Sequence, residues 1–103
     1  MQTKEIHLLT QNLGNQCINN GYKLVIAESC TGGLVCSTLT SVSGSSLWFE
    51  RGFVTYSNQS KCDLLGVAKK ILINHGAVSQ NVANEMAMGA LQNSHGNLSL
   101  SIT

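Results

Sequence analysis

A serine stands in the glycine-rich segment Ala-Glu-Ser-Cys-Thr-Gly-Gly at residues 27–33. A continuously apolar run precedes this segment and a helical pattern follows it, so we predict a turn between a strand and a helix. Ser29 at that turn is a candidate nucleophile, and the backbone N–H groups at the start of the helix are a candidate cradle for an anion. Gly32 and Gly33 would let a ligand approach the backbone closely.

Acyl transfer is the chemistry that this turn could support, but a serine hydroxyl is a poor nucleophile until a base removes its proton. The chain has three histidines, and none falls at a predicted strand end. Lysine can serve instead, because partial burial lowers its pKa toward neutrality, and Lys61 is the candidate. Backbone N–H groups near Cys30 and Thr31 could then stabilise an oxyanion. Tyr56 or Thr103 could donate a further hydrogen bond or relay a proton.

Each of these residues also has a purely structural interpretation. Ser29 could cap the helix that follows it, and the two glycines could only permit close packing of the helix against the sheet. Lys61 could be a solvated helix lysine, and Tyr56 could be a strand residue with its hydroxyl in water. Cys30 at a helix start could instead carry thiol redox chemistry, although no resolving partner lies near it in the sequence. The turn is neither a P-loop nor a nucleophile elbow, since neither Gly-Lys-Ser/Thr nor Gly-x-Ser-x-Gly is present.

Helical and strand patterns alternate along the chain. Apolar or alternating runs predict strands at 23–27, 47–56 and 97–102. Helical spacing and capping residues predict helices over 3–20, 31–42, 58–65, 68–74 and 80–93, with a loop at 44–46. Gly52 marks a bulge or a close packing contact within the second strand. This order predicts an α/β fold, in which helices cover a sheet with at least some parallel pairs.

Parallel strands would bring the candidate residues together. Ligands of open α/β sheets bind outside the carboxyl ends of the strands. Ser29, Tyr56 and Thr103 each lie at the end of a predicted strand, and Lys61 follows in the helix after the second strand. If the three strands are parallel and adjacent, we expect these four side chains to meet at one edge of the sheet.

The composition of this 103-residue chain predicts a single domain over residues 1–103 and argues against several classes of protein. A net charge of +1, with 11% charged residues, leaves no basic surface for nucleic acid. No apolar stretch is long enough to span a bilayer, and residues 1–10 lack the features of a secretory signal, so we expect a cytoplasmic protein. The four cysteines and three histidines show no metal-ligand spacing, so we expect free thiols and no metal site.

Three longer segments resemble the CinA C-terminal domain family, whose stand-alone members act as nicotinamide-nucleotide amidohydrolases: AESCTGG at 27–33, GSSLWFERGFVTYSNQSKCDLLGV at 44–67 and HGAVSQNVANEMAMGAL at 75–91. The resemblance implies a three-layer α/β/α sandwich with a largely parallel sheet. It implies hydrolysis of the carboxamide of nicotinamide mononucleotide to nicotinic acid mononucleotide and ammonia, with no metal or organic cofactor. It implies by position that Ser29 is the nucleophile and Lys61 the general base. Thr103 falls where the family has a residue that assists this pair, and Tyr56 falls on the family's tyrosine.

The chain is shorter than the family domain, which continues beyond the strand at 97–102 with a glycine-rich loop, further strands and a final helix. Met1 indicates a genuine start, so we expect the C-terminal part of the domain to be missing. The uncovered edge of the sheet would invite pairing with another chain, and we therefore expect a homo-oligomer. The alternative to an active amidohydrolase is a truncated, non-catalytic module of the same family that binds a nucleotide or serves assembly.

The phosphate of a small nucleotide substrate has several candidate ligands in the sequence. The backbone at Gly32 and Gly33, beside Cys30 and Thr31, is one of them. The others are the side chains of Ser45, Ser46 and Arg51.

Overall fold

Three short strands and five helices alternate along residues 3–103, which are the residues that the computed structural model describes. The strands are β1 (Leu24–Glu28), β2 (Phe49–Val54) and β3 (Leu98–Ile102). The helices are α1 (Lys4–Asn20), α2 (Leu34–Thr40), α3 (Asn58–Leu65), α4 (Lys69–His75) and α5 (Gln80–Gln92), and one 3-10 turn spans Ser45–Leu47. Met1 and Gln2, which belong to the stretch compared with a secretory signal, lie outside the described residues.

β1 is the central strand of a parallel sheet with the order β2-β1-β3. Glu28, the last residue of β1, pairs with Val54 of β2 and with Ile102 of β3, so the three strands end at the same edge. All five residues of β1 are buried, which explains why the strand is apolar on both faces until it reaches Glu28. The prediction of parallel, adjacent strands is therefore confirmed.

Helices cover both faces of this sheet, each over its own apolar core. On one face, Val25 and Ala27 pack with residues from α3, α4 and α5 and the segments beside them: Leu65, Val67, Leu72, Val82, Met86 and Ala90. On the other face, Leu24 and Ile26 pack with α1, α2 and the segment after α2: Cys17, Leu39, Val42 and Trp48. The expected three-layer α/β/α sandwich is therefore confirmed. None of the helices among residues 3–103 is long and apolar enough to cross a membrane.

β3 alternates as its sequence predicts, with hydroxyls on one face and aliphatic side chains on the other. The Ser99 and Ser101 hydroxyls donate to the carbonyls of Ala87 and Ala83 in α5, at 2.9 and 2.6 Å. On the opposite face, Leu100 is 52% exposed beside an apolar groove of about 290 Å³ between β3 and the helices α1 and α2. Among the described strands, β3 pairs only with β1, so its outer edge is open.

α2 begins at Leu34 and not at Thr31 as predicted. Gly32 and Gly33 have φ angles of 61° and 102°, which is the left-handed region that glycine enters without steric cost. The chain therefore makes a full turn over residues 29–33 before the helix starts.

The bulge expected at Gly52 in β2 lies two residues earlier. Leu24 pairs with Phe49 and Val25 with Arg51, so Glu50 is the extra residue. Gly52 instead provides the close packing contact that was the other interpretation, because a Cβ at this position would overlap the sulfur of a cysteine in α2.

Candidate active site

The carboxyl ends of the three strands are joined by backbone hydrogen bonds around Ser29. The Ser29 N–H donates to the carbonyl of Ile102 at 2.9 Å, and the N–H of Thr55 donates to the carbonyl of Glu28 at 2.8 Å. Thr103 follows Ile102 directly and Tyr56 follows Thr55 directly. The fold therefore brings the backbone of Ser29, Tyr56 and Thr103 to one edge of the sheet.

Ser29 lies on the inner side of its turn, with 7% of its surface exposed. Its carbonyl accepts a hydrogen bond from the N–H of Gly32 at 3.0 Å, which closes the turn. The N-cap of α2 is Gly33, so the structural interpretation of Ser29 as a helix cap is wrong. Within residues 3–103, the Ser29 hydroxyl makes no hydrogen bond, which leaves it available to a substrate or a base.

Glu28 performs the capping that the sequence assigned to Ser29. Its carboxylate, from a side chain with 0% exposure, accepts from the Thr31 hydroxyl at 2.6 Å. It also accepts from the N–H groups of Gly33 and Val35, both at 3.1 Å, and of Cys36 at 2.8 Å. The anion cradle predicted at the start of α2 is therefore real, but the protein fills it with its own carboxylate.

These bonds determine the protonation of two buried groups. Burial by itself would raise the pKa of Glu28, but hydrogen bonds from Cys36, Thr31 and the backbone hold it at about 2. Burial, together with the hydrogen bond and the negative charge of Glu28, raises the pKa of Cys36 to about 12. Glu28 is therefore ionised and Cys36 is a neutral thiol at physiological pH. The sequence signal for this site was an acidic residue at the end of an otherwise apolar strand, and the sequence analysis missed it.

Acidification should destabilise the fold through Glu28. The pKa is about 2 in the folded protein and about 4.5 when the group is unperturbed, so this stabilisation is complete above about pH 4.5 and is lost as the pH falls toward 2. The difference corresponds to roughly 3 kcal/mol. Urea unfolding between pH 7 and pH 3 should show this loss in the wild type, whereas Glu28→Gln should lack that part of the dependence. Parallel curves for the two proteins would contradict the assignment.

Lys61 is a buried lysine, and the solvated alternative is wrong. The residue is 1% exposed in α3, a helix whose N-cap Ser57 accepts from the N–H of Ser60. Its Nζ donates to the carbonyl of Tyr56 at 3.3 Å and to Oδ1 of Asn58 at 3.5 Å. Burial lowers the pKa of Lys61, and the nearby thiol of Cys30 opposes this effect in part. The amine of Lys61 is thus desolvated.

Hydrogen bonds to the segment after β2 link the two halves of the candidate site. Cys30 is adjacent to Ser29 in the turn after β1, whereas Lys61 is in the helix after β2. The Lys61 amine donates to the carbonyl of Tyr56, and the N–H of the preceding Thr55 donates to Glu28, which directly precedes Ser29.

Tyr56 enters this site through its backbone and not through its hydroxyl. Its carbonyl accepts from Lys61, while its side chain is 74% exposed. The structure therefore favours the interpretation in which the hydroxyl is in water, and the expected role of that hydroxyl as a donor or relay is not supported.

Thr103 lies beside an open hollow of about 470 Å³ near the start of α5. Its hydroxyl donates to the carbonyl of Ala77 at 2.8 Å. The hydroxyl proton is thereby used in the bond to Ala77, and the oxygen keeps its capacity to accept a hydrogen bond.

The structure places several predicted phosphate ligands away from Ser29. Ser45 and Ser46 lie in the 3-10 turn before β2, at the amino ends of the strands, so they are at the opposite edge of the sheet. Arg51 lies near the start of β2, where its guanidinium contacts Glu50 at 2.8 Å. The structure does not bring these three side chains to the turn, so it does not support them as phosphate ligands beside Ser29.

The glycine backbone is also unsuited to the phosphate. The Gly32 N–H donates to Ser29 and the Gly33 N–H donates to Glu28, so both groups are already used. By contrast, the N–H groups of Cys30 and Thr31 have no acceptor among residues 3–103. These two remain the candidate donors to an oxyanion.

The cysteines are free thiols in different environments. Cys30 is exposed, Cys17 is buried, and Cys36 and Cys62 are partly exposed. Burial raises the pKa of Cys17. Residues 3–103 contain no cluster of three or more histidine, cysteine or acidic side chains that could hold a metal ion.

Sequence comparisons match almost the whole chain. The CinA C-terminal domain family matches residues 6–103. The protein named nicotinamide-nucleotide amidohydrolase PncC of Enterobacter agglomerans is 44% identical over 103 residues, which are 100% of this chain and 63% of that protein. The protein of the same name in Escherichia coli K12 is 45% identical, over 100% of this chain and 62% of its own length.

Solved structures match the fold over the same range. The competence/damage inducible protein CihA from Agrobacterium tumefaciens is 41% identical, with a TM-score of 0.96 over 100% of this chain and 62% of that one. A CinA superfamily protein from Escherichia coli is 35% identical, with a TM-score of 0.94 over 100% and 61%. The chain thus spans 61% to 63% of the length of these relatives. The family model matches residues 6–103, and the solved structures match the fold of the whole chain. The chain therefore belongs to the CinA C-terminal domain family.

Proposed function

We propose that this chain carries the catalytic turn of an amidohydrolase that converts nicotinamide mononucleotide to nicotinic acid mononucleotide and ammonia. The observation that carries the proposal is the buried amine of Lys61, held at the strand ends near the turn that contains Ser29. Burial this deep destabilises the charged form of a lysine and favours the neutral amine. A neutral amine can accept a proton, so it can serve as a base. The names of two relatives, at 44% and 45% identity, supply the substrate.

The proposed reaction starts with proton transfer from Ser29 to the neutral amine of Lys61. The serine oxygen attacks the carboxamide carbon, and the N–H groups of Cys30 and Thr31 stabilise the resulting oxyanion. Collapse of this intermediate breaks the carbon–nitrogen bond, and the Lys61 ammonium gives its proton to the departing amide nitrogen, which leaves as ammonia. A water molecule, deprotonated by Lys61, then hydrolyses the ester on Ser29, and the serine regains its proton. In this scheme the Thr103 oxygen accepts a hydrogen bond in either half of the reaction.

Ser29→Ala is the direct test of this scheme. The variant should lower ammonia release from nicotinamide mononucleotide by at least about a thousandfold, because the nucleophile and the base act as a unit. Ser46→Ala is the matched control, since Ser46 is exposed at the opposite edge of the sheet and should leave the rate unchanged. Ammonia should be measured on the 103-residue chain, beside a PncC protein of full length. Activity that survives in Ser29→Ala would overturn the assignment of the nucleophile.

The second candidate is a non-catalytic module that binds the nucleotide. The openness of the hollow beside Thr103 favours it, together with the fact that the chain spans 62% of the Escherichia coli relative. Calorimetric binding of nicotinamide mononucleotide without ammonia release would establish this alternative.

We also propose that the open edge of β3 pairs with a second copy of the chain, which light scattering would reveal as a dimer or larger species.

A further inference from the structure

Glu28 is an ionised carboxylate that no step of the proposed reaction uses. Its side chain is 0% exposed. The only salt bridge among residues 3–103 joins Arg51 to Glu50, so Glu28 has no cationic partner in the described chain. A buried charge without a counter-ion is costly unless directed hydrogen bonds satisfy it. We therefore look for the role of this carboxylate in the residues that its hydrogen bonds hold in place.

Those hydrogen bonds link the strand to both halves of the turn. Oε1 accepts from the Thr31 hydroxyl, which precedes the two left-handed glycines, and from the N–H of Gly33 and Val35, which follow them. Oε2 accepts from the N–H of Cys36 in the first turn of α2.

The backbone of Glu28 is fixed in turn by the sheet. Its carbonyl accepts from the N–H of Thr55 at 2.8 Å, and the next N–H, that of Ser29, donates to Ile102. Ser29 thus lies between two anchored segments, the strand before it and the residues bound to the carboxylate after it.

Capping by Glu28 also determines which groups stay free. A serine at a strand-to-helix turn ordinarily uses its hydroxyl to accept from the first N–H groups of the helix. Here the carboxylate takes those donors, so the hydroxyl of Ser29 and the N–H groups of Cys30 and Thr31 remain unpaired within the described residues.

We propose that Glu28 is a positioning residue for the nucleophile, because its carboxylate holds residues 29–33 so that the Ser29 hydroxyl and two adjacent N–H groups face the substrate. The inference rests on the proposed amidohydrolase function. It predicts that loss of the carboxylate disorders the turn and lowers the reactivity of Ser29 while leaving Lys61 in place.

The test compares Glu28→Gln with Glu5→Gln, the same substitution at an exposed position in α1. A fluorophosphonate probe reports on Ser29 without requiring amide hydrolysis: the serine oxygen bonds to phosphorus, fluoride leaves, and the serine proton passes to Lys61. Mass spectrometry gives the labelling rate at Ser29, and hydrogen exchange gives the protection of residues 29–36. Glu28→Gln should reduce labelling by at least about tenfold and speed exchange in this segment, whereas Glu5→Gln should match the wild type.

Thr31 provides a second pair of variants if Glu28→Gln does not fold. Thr31→Val loses the hydroxyl that donates to Glu28 and should label more slowly than the wild type. Thr31→Ser keeps a hydroxyl at this position and should label faster than Thr31→Val. In the ammonia assay, Thr31→Val should lower kcat more than it changes KM after kcat is divided by the fraction of protein that is folded. A loss of stability alone would leave this corrected kcat unchanged.

The outcomes separate this inference from the function on which it rests. Labelling of Ser29 that is equal in the wild type, Glu28→Gln and Thr31→Val would overturn the positioning role alone. Wild-type protein that is not labelled at Ser29 would overturn both the nucleophile and the positioning role. Wild-type labelling without ammonia release, together with slow labelling of Glu28→Gln, would support the positioning role and overturn the proposed substrate.

Discussion

Lys61→Met should eliminate ammonia release without unfolding the protein. The substitution replaces the buried amine by an apolar group of similar length, so the reaction loses its base and the rate should fall by at least about a thousandfold. The free energy of unfolding should stay within about 1 kcal/mol of the wild type or rise, because a desolvated amine is removed from the interior. Ammonia assays and urea unfolding on the same preparations would measure both effects.

Two further variants sharpen this result. Lys61→Arg keeps a positive charge but cannot lose its proton near neutral pH, so it should also be inactive. Lys70→Met makes the same change at an exposed lysine in α4 and should retain the wild-type rate. An active Lys61→Met protein would exclude Lys61 as the base.

The pH dependence follows from the direction in which the pKa of Lys61 is shifted. Burial places this pKa below 10.5, and only the neutral amine can accept a proton, so the rate should rise as the pH rises through the lowered pKa. The unfolded chain holds this proton more tightly than the folded one. Stability should therefore rise with pH between the lowered pKa and about 10.5, and Lys61→Met should remove that contribution.

Gly89→Ala should destabilise the fold strongly, although alanine is the better helix former. Gly89 lies in α5 against the end of α3, and a Cβ there would overlap the carbonyl of Leu65. Helix propensity alone predicts a gain of about 0.5 to 1 kcal/mol. Because the obstacle is backbone, α3 must move as a unit, and we expect a net loss of about 3 kcal/mol.

Urea unfolding would measure this loss, with Asn81→Ala as the control at an exposed position of the same helix. Since α3 also carries Lys61, any folded Gly89→Ala protein should have a reduced rate of ammonia release. A stabilised Gly89→Ala protein would show that the two helices are not packed as closely as described.

The sequence predicted those elements whose pattern is local. The apolar run before Ser29 identified the central strand, and the alternation at residues 98–102 identified β3 with its correct faces. The alternation of helices and strands along the chain predicted parallel strands. Parallel strands in turn predicted that Ser29, Lys61 and Thr103 lie at one edge of the sheet. Periodicity and chain order are sufficient for predictions of this kind.

The errors arose where a contact depends on distant residues. Ser45 and Arg51 were predicted as phosphate ligands, but both precede the carboxyl end of β2, at which Ser29 lies. Glu28 was overlooked because its hydrogen-bond donors lie after the two glycines in the sequence. These donors reach the carboxylate only because the positive φ angles of the glycines turn the chain back toward it. The exposed ring of Tyr56 likewise depends on which way the chain turns after β2.

The strand order also constrains when the site can form during synthesis. The central strand is made first, one edge strand second and the other edge strand last, and the amide side chain of Asn97 bonds to Lys23 across 74 residues. Contacts this distant in sequence are slow to form. The N–H of Ser29 donates to the carbonyl of Ile102, which is synthesised much later. A nascent chain on the ribosome therefore cannot complete the turn until residues 98–103 have emerged from the exit tunnel. Until then, β1 lacks one of its two neighbours, and the backbone groups along that edge have no partner strand.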